Sequence, residues 1–322
     1  MKRIALYLSY VLIFFSVGVI VFPTRYIFEL AVSFLPYIVA VHVFLAGYWL
    51  SKLFFVDNKA KYIVLVALHI VWCIYFILPI LSFYEYGESV WSQEWDISVL
   101  YANISKVNRQ YTWLMEMIDT YNPDVVMFVE FADHHDENLK PFLAERYPYI
   151  NRTSRSKKFV WSMVFSSYPV DDLADDFVQG AWRYGYFSIQ TVNQLYYVYL
   201  VHTSSPISPI NYRMRNEQLA TIHADIITHK SSRKDAPILL LGDLNVSPWS
   251  VFYQRFVQEL EWMINVTRRL SPIFTRHLRF LPFVASHIDH IFSNNPAMIH
   301  DVEQVDVPGS DHIGYFFHLQ DR

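Results

Sequence analysis

The sequence has little cysteine, glycine and charge, and each shortage narrows the possible functions. Cys73 is the single cysteine among 322 residues, so an intramolecular disulfide and a cysteine-ligated zinc site are both excluded. The eight glycines form no glycine-rich phosphate loop, which disfavours the common nucleotide-binding folds. Charged residues make up 17% of the chain, whereas 53% of its residues are hydrophobic. This composition is more apolar than that of an ordinary soluble protein and indicates contact with lipid.

Three stretches near the N-terminus contain no Asp, Glu, Lys or Arg: Ile4–Phe22, Leu30–Leu50 and Tyr62–Tyr84. Each is long enough to cross a bilayer core as a helix, which takes about 20 residues. We therefore predict a membrane anchor over residues 1–88, with transmembrane helices at about 4–22, 30–50 and 62–84, and a globular domain over residues 89–322. A cleaved signal peptide is the alternative for the first stretch, but no small-x-small cleavage site follows it.

The basic residues that flank these stretches predict the orientation in the membrane. Five lie on the side of the N-terminus and one on the other side: Lys2, Arg3, Lys52, Lys59 and Lys61 against Arg25. Flanks rich in Lys and Arg stay in the cytoplasm. We predict a multi-pass protein of the inner (plasma) membrane, with its N-terminus in the cytoplasm and its globular domain on the extracytoplasmic (periplasmic) side.

Polar residues within or beside the predicted helices leave an alternative to simple anchoring. Glu29, His42 and His69 are of the kind that marks transport paths, because intramembrane polar groups are often functional. Two histidines and one terminal glutamate are a small set for such a path. We therefore favour anchoring.

The globular domain shows alternating strand and helix patterns. Strands are predicted at 97–102, 125–129, 159–165, 185–192, 195–201, 238–241, 288–292, 302–305 and 313–319, with helices at 111–121, 211–228 and 250–260. Strands mixed with helices and hairpins favour a layered α/β or α+β sandwich over a purely parallel sheet.

Polar side chains recur where the predicted apolar strands begin or end. They are Asn103, Glu130, His202, Asp243, Asn245, Asp289, Asp311 and His312. Each one alone is explained as a turn former, a surface charge or a hydrogen-bonded core residue. Together they bring several acids to one place, and converging acids repel one another unless a cation joins them. Oxygen ligands without thiols suit a hard cation such as Mg²⁺ or Mn²⁺.

The order of these residues carries a resemblance to a known family. Asn103 and Glu130 come first, His202 follows, and then come GDLN at 242–245, IDHI at 288–291 and SDH at 310–312. The set resembles the endonuclease/exonuclease/phosphatase superfamily, which includes pancreatic deoxyribonuclease, abasic-site endonucleases, inositol-phosphate phosphatases and sphingomyelinases. The resemblance covers about Ile97–Gln320. Within the superfamily, the chain is most similar to bacterial membrane-anchored proteins that place apolar helices before this domain.

The resemblance implies a four-layer sandwich, in which two mixed β-sheets lie face to face between helices. It also implies a metal site, with Glu130 holding a divalent Mg²⁺ or Mn²⁺ assisted by Asn103 and Asp311. Ser105 stands where abasic-site enzymes carry an acid, which disfavours their repair activity.

For the remaining residues the resemblance implies catalytic roles. Asp243 would orient or deprotonate the attacking water, and Asn245 would bind the phosphate. His312, held by Asp289, would stabilise charge on the phosphoryl oxygens. His202 would contact the phosphate or assist the leaving group. No organic cofactor is expected.

The substrate is left open among three interpretations. The stretch before Glu85 holds six of the 26 Lys and Arg and two of the 30 Asp and Glu, which leaves the rest of the chain at a formal charge of −8. Proteins that bind duplex DNA usually carry a basic face. We predict a metal-dependent phosphodiesterase, and a nuclease first of all. The alternatives are a phospholipid or small-phosphoester phosphodiesterase or phosphatase, and a non-catalytic membrane receptor that uses the same pocket.

Overall fold

The computed structural model describes residues 2–57, 59–84, 96–152, 161–173, 184–232, 236–269 and 274–321. The chain divides into two compact units. The helical unit comprises Met1–Glu85 together with Val246–Arg255, and the sandwich unit comprises Tyr86–Asn245 together with Phe256–Arg322. The predicted domain boundary between residues 88 and 89 lies outside the described residues.

The N-terminal helices are α1 (Lys2–Val21), α2 (Tyr26–Val32), α3 (Leu35–Lys52) and α4 (Ala60–Phe83). Among the described residues, α1 and α4 are long and apolar enough to cross a membrane, and they match the first and third predicted spans. A third span exists only if α2 and α3 act as one, and the pair is bent by 81°. The prediction of one continuous helix over Leu30–Leu50 is therefore wrong. The chain leaves the helix after Val32 and re-enters it at Leu35, with a proline in the first turn, where its missing N–H is tolerated.

A buried polar network runs through the helical unit. His42 Nδ1 lies 2.8 Å from His69 Nδ1, and His42 Nε2 lies 3.0 Å from Ser16 Oγ. At the other end, His69 Nε2 lies 3.0 Å from Ser9 Oγ, which accepts a hydrogen bond of 2.8 Å from the Trp49 indole. Buried polar groups are stable when they are hydrogen-bonded, so this network can join α1, α3 and α4.

The sandwich unit contains two mixed sheets in its described residues. The strands of the first sheet are β1 (Ile97–Asn103), β2 (Val125–Phe131), β3 (Tyr149–Arg152), β4 (Trp161–Ser166), β13 (Ile299–Asp306) and β14 (Ile313–Leu319). Their order is β13-β14-β1-β2-β4-β3, and β1 and β2 are parallel. The predicted strand at 159–165 corresponds to β4, and its first two residues lie outside the described part of the chain.

The second sheet contains β5 (Val170–Asp172), β6 (Tyr184–Gln190), β7 (Leu195–His202), β8 (Ile238–Asp243), β9 (Ile264–Asn265) and β12 (Asp289–Ser293). Their order is β5-β6-β7-β8-β12-β9, and β7 and β8 are parallel. A separate two-stranded hairpin consists of β10 (Arg276–Leu278) and β11 (Leu281–Ser286). Parallel neighbours bring their carboxyl ends to the same edge of a sheet, which is where ligands bind in α/β folds.

The core lies between the two sheets, and helices cover their outer faces. Alternate residues of both sheets form one buried cluster, including Val99 and Met127 from the first sheet and Val198 and Leu241 from the second. The outer helices are α5 (Tyr111–Tyr121), α6 (Asp133–Asn138), α7 (Lys140–Arg146) and α8 (Pro209–Ser232). Helix α9 (Val251–Glu259) begins among the residues of the helical unit and ends in the sandwich unit. Helices α5 and α7 pack on the first sheet, while His229 of α8 stacks on Tyr186 of the second. This arrangement confirms the predicted four-layer α/β sandwich.

Candidate active site

A cavity of about 550 Å³ opens in the sandwich unit where several strands end. Five of the eight predicted site residues line it: Glu130, Asp243, Asn245, Asp311 and His312. The other three contact these residues. Asn103 Nδ2 donates a hydrogen bond of 3.1 Å to Asp243, His202 Nε2 lies 3.5 Å from Glu130 Oε1, and Asp289 Oδ2 lies 2.9 Å from His312 Nδ1. All eight residues therefore meet in one place.

The register of the second sheet explains part of this convergence. In the parallel pair β7–β8, His202 lies opposite Asp243, and in the antiparallel pair β8–β12, Asp243 lies opposite Asp289. Two carboxylates opposite each other in a sheet are destabilising when nothing lies between them. Here the buried imidazole of His312 is within reach of both, with Nε2 3.8 Å from Asp243 Oδ2. A cationic imidazole offsets their repulsion.

Glu130 reaches the cavity through a local distortion of β2. The pairing of β2 with β4 shifts register between Phe128 and Phe131, and Glu130 has a positive φ of 58°. A β-bulge re-aims a side chain, and a strained φ at a non-glycine residue often marks a functional position. Burial alone would raise the pKa of Glu130, but the charge of His202 and the backbone N–H of Lys106 outweigh it and lower that pKa. The carboxylate form is thereby favoured.

The GDLN motif forms the end of β8 and the turn that follows. Gly242 has a φ of 143°, and a Cβ at this position would lie 1.9 Å from the carbonyl oxygen of Val201, so only glycine fits beside β7. Asp243 Oδ1 accepts a hydrogen bond of 2.9 Å from the N–H of Asn245, which itself has a φ of 48°. The Asn245 side chain donates to the carbonyl of Thr203 at 3.1 Å. Hydrogen bonds therefore fix the side chains of Asp243 and Asn245.

His312 and Asp289 form a buried hydrogen-bonded pair. Besides the contact with His312, Asp289 accepts a hydrogen bond of 2.8 Å from the Tyr101 hydroxyl. Burial would lower the pKa of His312, but the Asp289 carboxylate outweighs it and raises that pKa to about 9. For Asp289 itself, burial would raise the pKa, and the charge and hydrogen bond of His312 lower it instead. Both shifts favour an imidazolium paired with a carboxylate.

The pKa of Asp243 is shifted in the opposite direction from that of Asp289. Burial raises its pKa to about 7, and the neighbouring charge of Asp289 acts in the same direction. His312 and Arg276 oppose this shift. A carboxyl group that exchanges its proton near neutral pH is suited to general acid–base chemistry.

Two arginines add positive charge beside the acidic residues of the cavity. Arg276 Nε lies 3.3 Å from Asp311 Oδ2, and Arg279 lies 3.7 Å from Asp311 Oδ1 and donates to Ser105 Oγ at 2.9 Å. Both arginines line the cavity. Guanidinium groups at such a position can bind phosphate oxygens in a bidentate manner.

Two groups of side chains could hold a metal ion. Asp243, Asp289 and His312 each offer a ligand atom, and these atoms all lie within 4.8 Å of one another. Both Asp289 oxygens, however, already accept hydrogen bonds, from Tyr101 and His312. The second set is the one that the resemblance implies, Glu130 with the Asn103 amide and Asp311, whose oxygen atoms suit a hard cation. Glu130 and Asp311 both line the cavity, where Asp311 also pairs with Arg276 and Arg279, and the Asn103 oxygen accepts the N–H of Ser105 at 3.0 Å.

Several residues outside the predicted set support the site. Tyr101 and Thr275 hold Asp289, the latter accepting hydrogen bonds from the backbone N–H groups of Ile288 and Asp289. Arg215, which is 1% exposed, donates to the carbonyl of Asn245 at 2.8 Å. Arg215 lies six residues into α8, so only its charge on an otherwise buried helix face could have indicated a role.

The chain resembles a known protein family in sequence and several solved structures in fold. Residues 95–312 match the Endonuclease/Exonuclease/phosphatase family. D. rerio TDP2 complexed with single-strand DNA product aligns at a TM-score of 0.55 and 16% identity, over 70% of this chain and 99% of that chain. The 3′ phosphatase NExo from Neisseria, bound to a product DNA hairpin, aligns at 0.54 and 15% over 70% and 99%. Beta toxin from Staphylococcus aureus with bound magnesium ions aligns at 0.50 and 17% over 70% and 100%.

No curated protein sequence matches this chain at a significant level. At identities this low, the solved structures establish a common fold alone. The family match covers most of the chain and spans all eight predicted site residues. This chain belongs to the Endonuclease/Exonuclease/phosphatase family, a family of metal-dependent phosphoester hydrolases.

Proposed function

We propose that this protein is a membrane-anchored, divalent-cation-dependent phosphodiesterase that acts as a nuclease. The observation that carries the proposal is the convergence of Glu130, Asp243 and His312 on one cavity that two arginines also line. Phosphodiester hydrolysis requires neutralised phosphate charge and an aligned water molecule, and this set of side chains can provide both.

Glu130 is the proposed principal cation ligand, with Asn103 and Asp311 as further ligands. The Glu130 carboxylate is held by the N–H of Lys106 at 2.9 Å, which fixes its orientation toward the cavity. When bound, Mg²⁺ or Mn²⁺ would supply charge neutralisation at the phosphoryl oxygens. The lack of thiol ligands and the several oxygen donors fit such a hard cation.

Asp243 is the proposed general base. Its pKa of about 7 allows it to accept a proton from water at neutral pH. Oδ1 accepts the N–H of Asn245 and Oδ2 accepts the amide of Asn103, so both oxygens are oriented. The positions of these donors align the carboxylate with the cavity that Asp243 lines.

His312 is the proposed group that stabilises negative charge on the phosphoryl oxygens. Its Nδ1 is held by Asp289, which leaves Nε2 toward Asp243 and the cavity. Fixed cationic donors act at the charge that develops in the transition state and need no reorganisation there. Asp289 is a positioning residue in this scheme, because it acts through the imidazole.

Asn245 and His202 are proposed to contact the substrate phosphate. The Asn245 amide has two N–H donors and uses one on Thr203, so the second can serve a phosphate oxygen. His202 lies between Glu130 and Asp243, at 3.5 and 3.9 Å, where it can assist the leaving group or contact the phosphate.

A second candidate function, phospholipid or small-phosphoester hydrolysis, is favoured by one specific observation. The turn between β10 and β11 carries Phe280, which is 98% exposed, and Phe283 in β11 is 73% exposed. Phe280 and Leu281 also line the cavity. Exposed aromatic side chains of this kind mark interaction sites and gain stability in a lipid interface. Nucleic-acid bases can stack on the same rings, and the parallel substrate assay below distinguishes the two substrates.

The membrane arrangement is likewise a proposal. Residues 1–88 would anchor the protein in the inner membrane with the N-terminus in the cytoplasm, and residues 89–322 would act in the periplasm. The apolar length of α1 and α4 supports anchoring. A phosphatase reporter fused after Arg322 should be active and a fluorescent reporter that folds only in the cytoplasm should stay dark. The reverse result would overturn the orientation.

The deciding experiment for the reaction is a parallel substrate assay. The full-length protein in detergent is incubated with Mg²⁺ or Mn²⁺ and with single-stranded DNA, duplex DNA, RNA, phospholipid vesicles or inositol phosphates. Cation-dependent cleavage of a nucleic acid supports the nuclease. Cleavage confined to phospholipid or inositol phosphates selects the second candidate, and no hydrolysis of any substrate contradicts a catalytic role.

A further inference from the structure

The ten residues that follow the GDLN motif belong to the helical unit. Asn245 ends one part of the sandwich unit, and Val246–Arg255 then packs with the N-terminal helices before the chain returns to the sandwich unit at Phe256. The residue proposed to bind phosphate is thus joined by one peptide bond to a segment held by the helices. We call residues 246–255 the docked segment.

Three side chains hold the docked segment within the helical unit. Trp249, which is 8% exposed, packs in a cluster with Val19, Val32, Leu35, Val39 and Phe76. Tyr253 contacts Phe83 edge to face at a centroid distance of 6.3 Å. The Ser250 hydroxyl donates a hydrogen bond of 2.7 Å to Glu29 Oε1. The hydrogen bond between Ser250 and Glu29 is thus flanked by apolar contacts of Trp249 and Tyr253.

The contact between Ser250 and Glu29 has a clear physical reason. Glu29 is 2% exposed in an apolar helical unit, and a buried carboxyl group needs hydrogen-bond partners. Ser250 directly precedes α9, and its hydroxyl also accepts the N–H of Phe252 at 3.1 Å, as a helix N-cap does. Glu29 therefore lies at the start of α9, where the helix dipole favours an acidic group.

Asn245, which directly precedes the docked segment, is conformationally constrained. Asn245 keeps a left-handed φ of 48°, and its carbonyl accepts a hydrogen bond from Arg215. A residue in this region of φ and ψ stays there when the chain on both sides is fixed. Hydrogen bonds to Asp243 and Thr203 fix the preceding side. The docked segment begins on the following side.

We propose that Glu29 is a positioning residue: by holding the docked segment through Ser250, the helical unit keeps Asn245 and Asp243 in their reactive geometry. The N-terminal helices are then part of the hydrolase in addition to anchoring it. The inference rests on the proposed function, because it assigns the role of these contacts through Asp243 and Asn245. It gives a role to Glu29, the acidic residue of α2.

The test uses the full-length protein in nanodiscs and four single variants. Glu29→Leu and Ser250→Ala each remove the hydrogen bond, Ser250→Thr keeps the hydroxyl, and Ser51→Ala is a matched control at an exposed serine of the same unit. The measurements are kcat for bis(p-nitrophenyl) phosphate with Mg²⁺, and hydrogen exchange of the backbone amides of residues 244–254. The double variant Glu29→Leu/Ser250→Ala completes a cycle.

We expect kcat to fall by roughly three- to ten-fold in Glu29→Leu and in Ser250→Ala, because small misplacements of catalytic groups are costly. Exchange of the amides of Leu244, Phe252 and Gln254 should accelerate by roughly ten-fold in the same variants. Ser250→Thr and Ser51→Ala should match the unsubstituted protein in both measurements. The double variant should lose no more than the larger single loss, because both changes break one contact.

Two results would overturn the inference. One is unchanged kcat together with unchanged exchange in Glu29→Leu and Ser250→Ala. The other is accelerated exchange throughout β1 and β8 as well, since general destabilisation would then account for the loss of activity. If the unsubstituted protein hydrolyses no phosphodiester, the proposed function fails, and amide exchange alone still decides whether the helices hold residues 244–254.

Discussion

Each unit of this protein buries a cluster of polar side chains that contains histidine, but the two clusters differ in charge and in access. In the helical unit, His42 and His69 are fully buried and bond to each other and to serine hydroxyls. In the sandwich unit, His312 lies between the carboxyl groups of Asp243 and Asp289 at a cavity of about 550 Å³. The first cluster satisfies neutral hydrogen bonds internally. The second brings acids together, and these require protons or a cation.

The difference between the two clusters shows which feature marks a reactive site. A buried histidine occurs in both units, so burial of a titratable group does not separate them. Convergent carboxylates that open on a cavity occur in the sandwich unit, as Glu130, Asp243 and Asp311. Substitutions in the sandwich cluster should therefore change the reaction, whereas substitutions in the helical cluster should change stability.

The largest effect is expected for Asp243→Asn. The amide cannot accept the proton of the attacking water, and general base catalysis contributes about 10²- to 10⁴-fold, so kcat should fall by that order. The substitution is nearly isosteric; it loses one of the hydrogen bonds that Asp243 accepts from Asn245 and Asn103 but also removes the repulsion from Asp289, so the thermal unfolding midpoint should change only slightly. Asp301→Asn is the matched control, because Asp301 lies at a positive φ of 47°, which asparagine tolerates, outside the cavity lining. Retained turnover in Asp243→Asn would contradict the proposed role of the base.

A smaller effect is expected for Glu130→Gln, and it should appear first in the cation dependence. Loss of a residue that only orients a metal ligand typically weakens metal binding by roughly 10- to 100-fold, so replacing the carboxylate ligand itself should raise the Mg²⁺ concentration for half-maximal activity by at least that factor. Titration of kcat with Mg²⁺ measures this shift. Glu116→Gln, at an exposed position of α5, is the control. An unchanged Mg²⁺ titration would exclude Glu130 as a cation ligand.

The pH dependence tests the pair of His312 and Asp289. In the proposed scheme His312 acts as a cation, and Asp289 raises its pKa to about 9, so activity should be lost as the pH rises through about 9. Asp289→Asn removes the negative charge responsible for the shift. The falling limb of the kcat profile should then move to lower pH by about one unit or more. A falling limb at the same pH in both proteins would show that another group controls it.

The smallest effect on the reaction is expected in the helical cluster. His42→Leu removes bonds to Ser16 and His69, and interhelical polar contacts of this kind contribute on the order of 1 kcal/mol. The unfolding midpoint should fall, while kcat per folded molecule should change by less than about two-fold. A loss of kcat as large as that of Asp243→Asn would remove the distinction between the two clusters.

Much of the fold could be predicted from the chain because its strands and helices carry strong patterns. The helix at 111–121 and the strand at 313–319 agree with the structure at both ends. The short helices α6 and α7 were not predicted, because six and seven residues are too few for a helical period to be recognised. The hairpin β10–β11 was also missed, since its three-residue first strand has no alternation to detect.

The sequence predicted which residues form the candidate site better than it predicted how those residues are arranged. Polar residues at strand ends identified all eight side chains, and strand pairing supplies the reason that they meet. The bulge that turns Glu130 into the cavity has no sequence signal. Tyr101 and Thr275 were missed because a hydroxyl in or beside a strand resembles any other core or turn residue. The break between α2 and α3 lies within an apolar stretch, and Pro36 in the first turn of α3 is the sequence signal that could have indicated it.

The central claim is that Glu130 and its neighbours share one divalent cation beside Asp243. Anomalous diffraction from crystals of the full-length protein soaked in Mn²⁺ measures the position of that cation directly. We predict a peak in the cavity on the order of 2.1 Å from a Glu130 carboxylate oxygen, which Glu130→Gln abolishes. A peak among Asp243, Asp289 and His312, or none in the cavity, would contradict the claim.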